Sequence, residues 1–179
     1  MMNKKFVAVA AILGVACAAL GAVVANQQLT PKPPENKAVA QLMAQQLTDS
    51  SGKKQVLSQW QDKMLVVNFW ATWCAPCVQE MPELSALQVE YKGKPVQILG
   101  MGIDSPTNIS DFAKKYQISY PLFAAGMEGS ELSRQLGNNA GGLPFTILIG
   151  PGGRVLKNYL GRLKMEELRA DIAKFSLEK

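Results

Sequence analysis

The chain has 179 residues, of which 47% are hydrophobic and 18% charged, an ordinary composition for a globular protein that argues against general disorder. It contains no histidine, which excludes Ser-His-Asp and Cys-His catalysis, histidine-ligated zinc and histidine-bound haem. The formal net charge is +5, but the lysines and arginines are scattered without a basic run, so nucleic-acid binding has little support.

The N-terminal segment predicts attachment to a membrane. Residues 6–25 form an uncharged apolar run of twenty residues directly after Lys4 and Lys5. This length matches a membrane span and exceeds the apolar core of a typical secretory signal, about 7–15 residues. We therefore expect residues 1–25 to be an uncleaved anchor, with cleavage after Ala25, which would leave a soluble form, as the alternative. The two lysines favour a cytoplasmic N-terminus, so the remaining chain is expected on the extracytoplasmic, periplasmic face of the membrane.

A proline-rich stretch follows the apolar run. Residues 30–35 read TPKPPE, and clustered prolines form a stiff, extended spacer. We expect residues 26–43 to be a linker and residues 44–179 to form one folded domain, which is long enough for a sizeable core.

The first half of this domain is predicted to contain a hairpin, a buried strand and a helix. Residues 45–48 and 55–57 flank the turn sequence DSSG and predict the hairpin. Residues 64–70, MLVVNFW, form the nearly continuous apolar run that is typical of a strand buried on both faces. Apolar residues recur at helical spacing over residues 77–91, which predicts a helix ending near Gly93.

The second half of the domain predicts a mixed sheet. The expected elements are a strand over 96–103, helices over 107–116 and 130–136 around a short strand end at 121–123, strands over 145–149 and 155–159 around the turn GPGG, and a closing helix over 164–175. Alternation of strand and helix implies parallel pairing in the first half, and the late hairpin adds antiparallel strands. The predicted fold class is therefore α/β, with a mixed central sheet flanked by helices.

Cys74 and Cys77 lie where the buried strand gives way to the helix. At a helix N-terminus, unpaired N–H groups and the helix dipole favour negative charge, so we expect Cys74 to ionise readily. The thiolate is the attacking species in disulfide exchange, and Cys77, three residues further on the same helix face, can resolve a mixed disulfide. Pro76 suits a first helical turn, and Trp73 is placed to wall the site and contact a partner protein.

Two other interpretations of the cysteine pair have less support. A zinc site needs a second pair of ligands, and the only other cysteine is Cys17, within the apolar N-terminal run. An inert structural disulfide is unexpected at a junction between a strand and a helix N-terminus.

Residues 67–77, VNFWATWCAPC, resemble the active-site segment of the thioredoxin superfamily, and more narrowly its membrane-anchored TlpA/ResA/DsbE-like branch. The resemblance covers most of residues 44–179 and includes the leading hairpin and the sequence GLPFT at 142–146. It implies a thioredoxin-like fold with an extra N-terminal β-hairpin. It also implies that Cys74 is the exposed nucleophile and Cys77 the resolving cysteine, and that their redox-active disulfide serves without a separate cofactor.

The same resemblance bears on four further residues. The family proline that matches Pro144 is cis and packs beside the disulfide, where the Leu143 backbone would pair with an incoming substrate strand. Asn68 stands where cytoplasmic thioredoxins carry a buried aspartate, and its neutral amide cannot accept a proton from Cys77. Glu80 is the candidate substitute, since a glutamate here marks the ResA-like branch and influences cysteine ionisation. The residues alone also allow an exposed Glu80 that complements the helix dipole.

The favoured function is a protein disulfide reductase. It would receive electrons from a membrane thiol carrier, such as a DsbD/CcdA-like protein, and pass them to oxidised protein partners, for example apocytochrome c before haem attachment. An oxidase or isomerase would use the same residues, because the stabilised redox form decides the direction. A thiol peroxidase is disfavoured because Thr72 lies two residues before Cys74, where such enzymes carry a threonine three residues before. The presence of both cysteines disfavours a non-catalytic binding module.

Overall fold

A five-stranded mixed sheet organises the residues that the structure, a computed structural model, describes, namely 36–177. Its strands are β3 (Met64–Trp70), β4 (Val96–Gly102), β5 (Leu122–Ala124), β6 (Phe145–Ile149) and β7 (Val155–Leu160), and a separate antiparallel hairpin consists of β1 (Gln46–Thr48) and β2 (Lys54–Val56). The helices of this part of the chain are α1 (Lys37–Ala44), α2 (Ala75–Glu90), α3 (Pro106–Lys115), α4 (Gly126–Gln135) and α5 (Met165–Leu177).

The strand order β5-β4-β3-β6-β7 places β3 at the centre of the sheet. Strand β3 pairs in parallel with β4 and antiparallel with β6, while β5 and β7 form the edges. All seven residues of β3 are buried, which accounts for its continuous apolar sequence. The predicted α/β class, the mixed sheet and the leading hairpin are confirmed.

The two faces of the sheet carry separate apolar cores. Because side chains alternate along a strand, Val66 and Trp70 of β3 face α2, α3 and α5, whereas Val67 and Phe69 face α1 and α4. Asn68 belongs to the first of these faces and is fully buried there. A lone buried amide in an apolar strand requires hydrogen-bond partners, and these lie in the candidate site.

The folded domain begins earlier than predicted. Residues 36–43, which the sequence assigned to the linker, lie almost wholly in helix α1, where the Asn36 side chain caps the first turn by accepting a hydrogen bond of 2.9 Å from the Ala38 N–H. The core buries Ala38, Val39 and Leu42, which lie at helical spacing. This segment is therefore helical although it follows closely on the prolines. The rest of the predicted linker, residues 26–35, and the predicted anchor, residues 1–25, lie outside the described residues. Between residues 36 and 177, no helix combines the length and the apolar character that a membrane span requires.

Helix α4 also begins before its predicted start at residue 130. Gly126 and Gly129 weaken the helical pattern of its first turn, because glycine is a poor helix former. Gly129 is needed for packing, since a Cβ atom at this position would lie 2.5 Å from the Ala125 Cβ.

Candidate active site

The candidate site lies at the carboxyl end of β3, which continues through four residues into α2. Cys74 is the N-cap residue of α2, and its sulfur accepts a hydrogen bond of 3.3 Å from the Cys77 N–H. Pro76 occupies the first turn, where its missing N–H costs no helical hydrogen bond. The sulfur of Cys74 therefore lies at the positive end of the α2 dipole.

Cys74 and Cys77 are joined by a disulfide bond. Cys74 keeps 7% of its surface exposed, whereas Cys77 is fully buried. An incoming sulfur can reach only Cys74 without a rearrangement of the protein. The order of exposure thus agrees with the roles that the resemblance implies, although Cys74 is less open than an exposed nucleophile would suggest.

Two segments lie at the same end of β3 as the disulfide, since Trp73 precedes Cys74 and the Leu143–Pro144 segment leads into β6, where Phe145 pairs with Phe69 of β3. The side chain of Trp73, which precedes Cys74, is 71% exposed. The Leu143–Pro144 peptide bond is cis, as the resemblance implied, and the partly buried Leu143 packs against the core that contains both cysteines. Among the described residues, the Leu143 backbone has no hydrogen-bond partner. Its N–H and carbonyl groups are therefore free to pair with an extended chain.

Glu80 is fully buried beneath the cysteine pair on α2, so the alternative of an exposed Glu80 is wrong. Its carboxylate accepts two hydrogen bonds of 2.8 Å, from the Asn68 Nδ2 to Oε1 and from the Leu163 N–H to Oε2. The Asn68 Nδ2 also donates to the Thr146 hydroxyl at 3.0 Å. The residues that hold Glu80 therefore come from β3, β6 and the segment before α5.

Burial raises the pKa of Glu80 to about 7, against the opposing effects of the Leu163 and Asn68 hydrogen bonds and the Arg162 charge, while Glu83 adds to the increase. A carboxyl group with this pKa accepts and releases protons near neutral pH. It lies one helical turn from Cys77, on the same face of α2.

We expect Glu80 to make the folding stability depend on pH. Its pKa is higher in the folded protein than in the unfolded chain, so the protein should lose up to about 3 kcal/mol of stability, relative to Glu80→Gln, as pH rises from about 4.5 through about 7. Urea unfolding of both proteins across this range measures the difference. A difference that stays constant with pH would contradict the assigned ionisation of Glu80.

The turn before Cys74 is fixed by Asp104, at the end of β4. The Thr72 N–H donates to the Asp104 carboxylate at 3.3 Å, and the Thr72 hydroxyl donates to the same carboxylate. Burial favours a higher pKa for Asp104, but hydrogen bonds from Thr72, Asn108 and Ser105 outweigh it and hold the pKa below its ordinary value. Asp104 therefore anchors the turn as a carboxylate.

Sequence reasoning missed two parts of this arrangement. The sequence shows that the neutral amide of Asn68 cannot accept a proton from Cys77, but the isolation of Asn68 in an apolar strand also indicates a buried hydrogen-bond partner, which the structure identifies as Glu80. The hydrogen bond from the Leu163 N–H to Glu80 could not be predicted from the sequence, because any residue except proline provides a backbone donor.

Comparison with known protein families gives a match to the redoxin family over residues 31–173. The thiol-disulfide oxidoreductase ResA from Bacillus thuringiensis subsp. konkukian is 33% identical over 131 residues, which cover 73% of each chain. ResA from Bacillus subtilis is 31% identical over 120 residues, which cover 65% of this chain and 64% of that protein.

Solved structures of thiol–disulfide exchange proteins also match this chain. A thiol-disulfide oxidoreductase from Bacteroides fragilis matches with a TM-score of 0.61 and 28% identity, covering 73% of this chain and 96% of that one. A thiol:disulfide interchange protein of the thioredoxin family from Chlorobium tepidum has a TM-score of 0.68 at 21% identity, covering 80% and 96% of the two chains. The second likeness concerns the fold alone, and it supports the thioredoxin-like architecture.

Proposed function

The chain belongs to the redoxin family and is a thiol–disulfide oxidoreductase of the ResA type. From this we propose that it acts as a protein disulfide reductase on the extracytoplasmic face of the bacterial cytoplasmic membrane. The observation that carries the proposal is the asymmetry of the cysteine pair. Cys74 keeps a small exposed surface, 7%, at the N-terminus of α2, whereas Cys77 is fully buried, as is Glu80. Such a pair suits attack by one sulfur and resolution by the other.

In the reducing direction, the reaction starts from the dithiol form. The Cys74 thiolate attacks one sulfur of a substrate disulfide, the substrate S–S bond breaks, and a mixed disulfide forms while the released substrate sulfur takes up a proton. Cys77 then loses its proton and attacks the Cys74 sulfur. The Cys74–Cys77 bond forms, the second substrate sulfur leaves and is protonated, and two electrons have passed to the substrate.

We assign to Glu80 the acceptance of the Cys77 proton. Glu80 lies on the same face of α2 as Cys77, and both side chains are fully buried, so bulk water is a poor alternative acceptor. A pKa of about 7 suits a group that must take up a proton at neutral pH and release it afterwards. Asn68, which cannot titrate, orients the carboxylate.

The substrate is proposed to be a protein chain that lies across the disulfide in an extended form. The free backbone groups of Leu143 would pair with it, with Pro144 beside the reacting sulfur and Pro76 limiting the path between the cysteines. Exposed Trp73 supplies an apolar contact area. Oxidised cysteine pairs such as those of apocytochrome c are the proposed targets.

A membrane thiol carrier of the DsbD/CcdA-like kind is the proposed electron donor, since the extracytoplasmic space is oxidising and a reductase there must be recharged. The protein needs no other redox group in this scheme, because the reduced Cys74–Cys77 dithiol carries both electrons and becomes the disulfide when it passes them on. A peroxidase mechanism has less support, since the Thr72 hydroxyl is engaged by Asp104 rather than free to contact a peroxide.

The reduction potential of the Cys74–Cys77 pair tests the direction. Equilibration of the full-length protein with thiol redox buffers should give a value nearer to that of thioredoxin, about −270 mV, than to that of DsbA, about −120 mV. A value close to the DsbA figure would overturn the reductase assignment and make the protein a disulfide-forming oxidase.

A further inference from the structure

The loop between β7 and α5, residues 161–164, contacts two parts of the site through its backbone. The Gly161 N–H donates to the Pro144 carbonyl at 2.9 Å, and the Leu163 N–H donates to Glu80 at 2.8 Å. Gly161 has a φ of +84°, a left-handed conformation that suits glycine. The Leu163 side chain is buried in the same core as the disulfide. This loop therefore joins the cis-proline segment to the buried carboxylate.

Arg162, between these two backbone contacts, fastens the loop to the outer surface of α2. Its Nη2 donates to Glu83 Oε1 at 2.6 Å, and its Nη1 lies 3.5 Å from Gln79 Oε1. Glu83 and Gln79 flank Glu80 on the same helix. The guanidinium thus contacts α2 at Gln79 and Glu83, while the N–H of the next residue, Leu163, donates to Glu80 of the same helix.

The charged and titratable groups around Glu80 are few among the described residues. Arg162 stabilises the carboxylate, and Glu83 opposes it. Tyr120 is buried on the same face, and burial and then the Glu80 charge raise its pKa well above the ordinary value, so it stays neutral. The cysteines are held in the disulfide. Among the described residues, Arg162 is therefore the positive charge that favours the ionised form of Glu80, and its ion-pair partner Glu83 disfavours that form.

We propose that Arg162 is a positioning residue of this site: its ion pair with Glu83 holds the loop on α2, so that the Leu163 N–H and the guanidinium charge both stay on Glu80. The consequence for disulfide exchange rests on the role proposed above for Glu80. The effect of Arg162 on the ionisation of Glu80 does not depend on that role, and it can be measured separately.

The test is a direct titration of Glu80 in the full-length oxidised protein. With ¹³C-labelled glutamate carboxyl groups, the Glu80 signal is identified by its loss in Glu80→Gln. Arg162→Gln should raise the Glu80 titration midpoint by about half a pH unit, because a stabilising charge is lost. Glu83→Gln should lower it by a similar amount, because the amide oxygen can still accept from Arg162 while the repelling charge is gone. Arg162→Lys, which keeps the charge, should lie between Arg162→Gln and the parent protein.

A second ion pair supplies a matched control. Arg169 Nε and Glu90 Oε2 are 3.0 Å apart and join α5 to α2, with side-chain exposures of 40% and 45% against 49% and 41% for Arg162 and Glu83. Glu90 lies ten residues, about 15 Å along the helix, beyond Glu80. Arg169→Gln and Glu90→Gln should leave the Glu80 midpoint unchanged.

Opposite midpoint shifts show that the charges of Arg162 and Glu83 act on Glu80, but they do not by themselves show that the ion pair positions the loop. Positioning is measured by hydrogen exchange of the Leu163 N–H, which should be about tenfold faster in Arg162→Gln than in the parent protein and unchanged in Glu83→Gln, whose amide oxygen still accepts from Arg162. Midpoint shifts in one direction, no midpoint shift, or an unchanged Leu163 exchange rate in Arg162→Gln would overturn the inference. If the opposite shifts and the faster exchange both occur while the pH profile of disulfide exchange stays unchanged in both variants, Arg162 is a positioning residue for Glu80 and the proposed part of Glu80 in the reaction fails instead.

Discussion

Replacing Cys74 by serine is expected to lower disulfide exchange by about three orders of magnitude or more. A serine hydroxyl does not ionise near neutral pH and cannot form a disulfide, so the first attack on the substrate is lost. The measurement is the rate at which the prereduced full-length protein reduces a labelled disulfide peptide. The fold should survive, because the serine oxygen can accept the Cys77 N–H bond that the Cys74 sulfur accepts and serine is a favoured N-cap residue.

The matched control for this variant is Cys17→Ser, which removes the one cysteine outside the pair. Its exchange rate should equal that of the parent protein. Substantial turnover by Cys74→Ser, with an unchanged circular dichroism spectrum, would show that Cys74 is not the attacking sulfur and would withdraw the assignment on which the mechanism depends.

Replacing Cys77 by serine is expected to trap covalent complexes with disulfide substrates. Cys74 can still attack, but the sulfur that should release it is missing, and the mixed disulfide persists. The sequence contains one further cysteine, Cys17, in the apolar N-terminal run, so the folded domain offers no other resolving thiol. Incubation with an oxidised peptide, followed by non-reducing electrophoresis and mass spectrometry, should reveal one adduct, attached at Cys74.

The double variant, with serine at both positions 74 and 77, is the control for trapping and should capture nothing. If Cys77→Ser remains folded and also captures nothing, the two cysteines do not share attack and resolution in the proposed way. An adduct attached at Cys17 would likewise contradict the proposal.

The contrast between β3 and Glu80 explains which parts of the structure the sequence could predict. The strand Met64–Trp70 and the cysteines after it can be predicted from the local sequence, because a run of seven buried residues is followed within a few positions by a helix start. The burial of Glu80 depends on Leu163, which is 83 residues away, and on Asn68 in another element. A spacing of three residues from Cys77 places Glu80 on the correct helix face, but it cannot say what covers that face.

Helix α1 illustrates a different reason for failure. Its apolar residues, Ala38, Val39 and Leu42, have helical spacing, yet the helix contains only eight residues and follows a proline-rich stretch. Isolated helices of this length are marginal in water, so α1 depends on its contact with the core for stability. That contact includes Leu57 and Trp60, whose packing a local pattern does not reveal.

Asp104 and Glu80, the two acids of the site, have pKa values shifted in opposite directions. Asp104, with its lowered pKa, keeps its charge and its grip on Thr72 until the pH falls below the ordinary range for aspartate, whereas Glu80 changes its charge near pH 7. Between about pH 4 and 8, acidification therefore protonates Glu80 but leaves Asp104 charged, so the turn before Cys74 keeps its hydrogen bonds to Asp104. If Glu80 accepts the Cys77 proton as proposed, the rate of disulfide exchange should follow the surrounding pH in this interval while the contact between Asp104 and Thr72 persists.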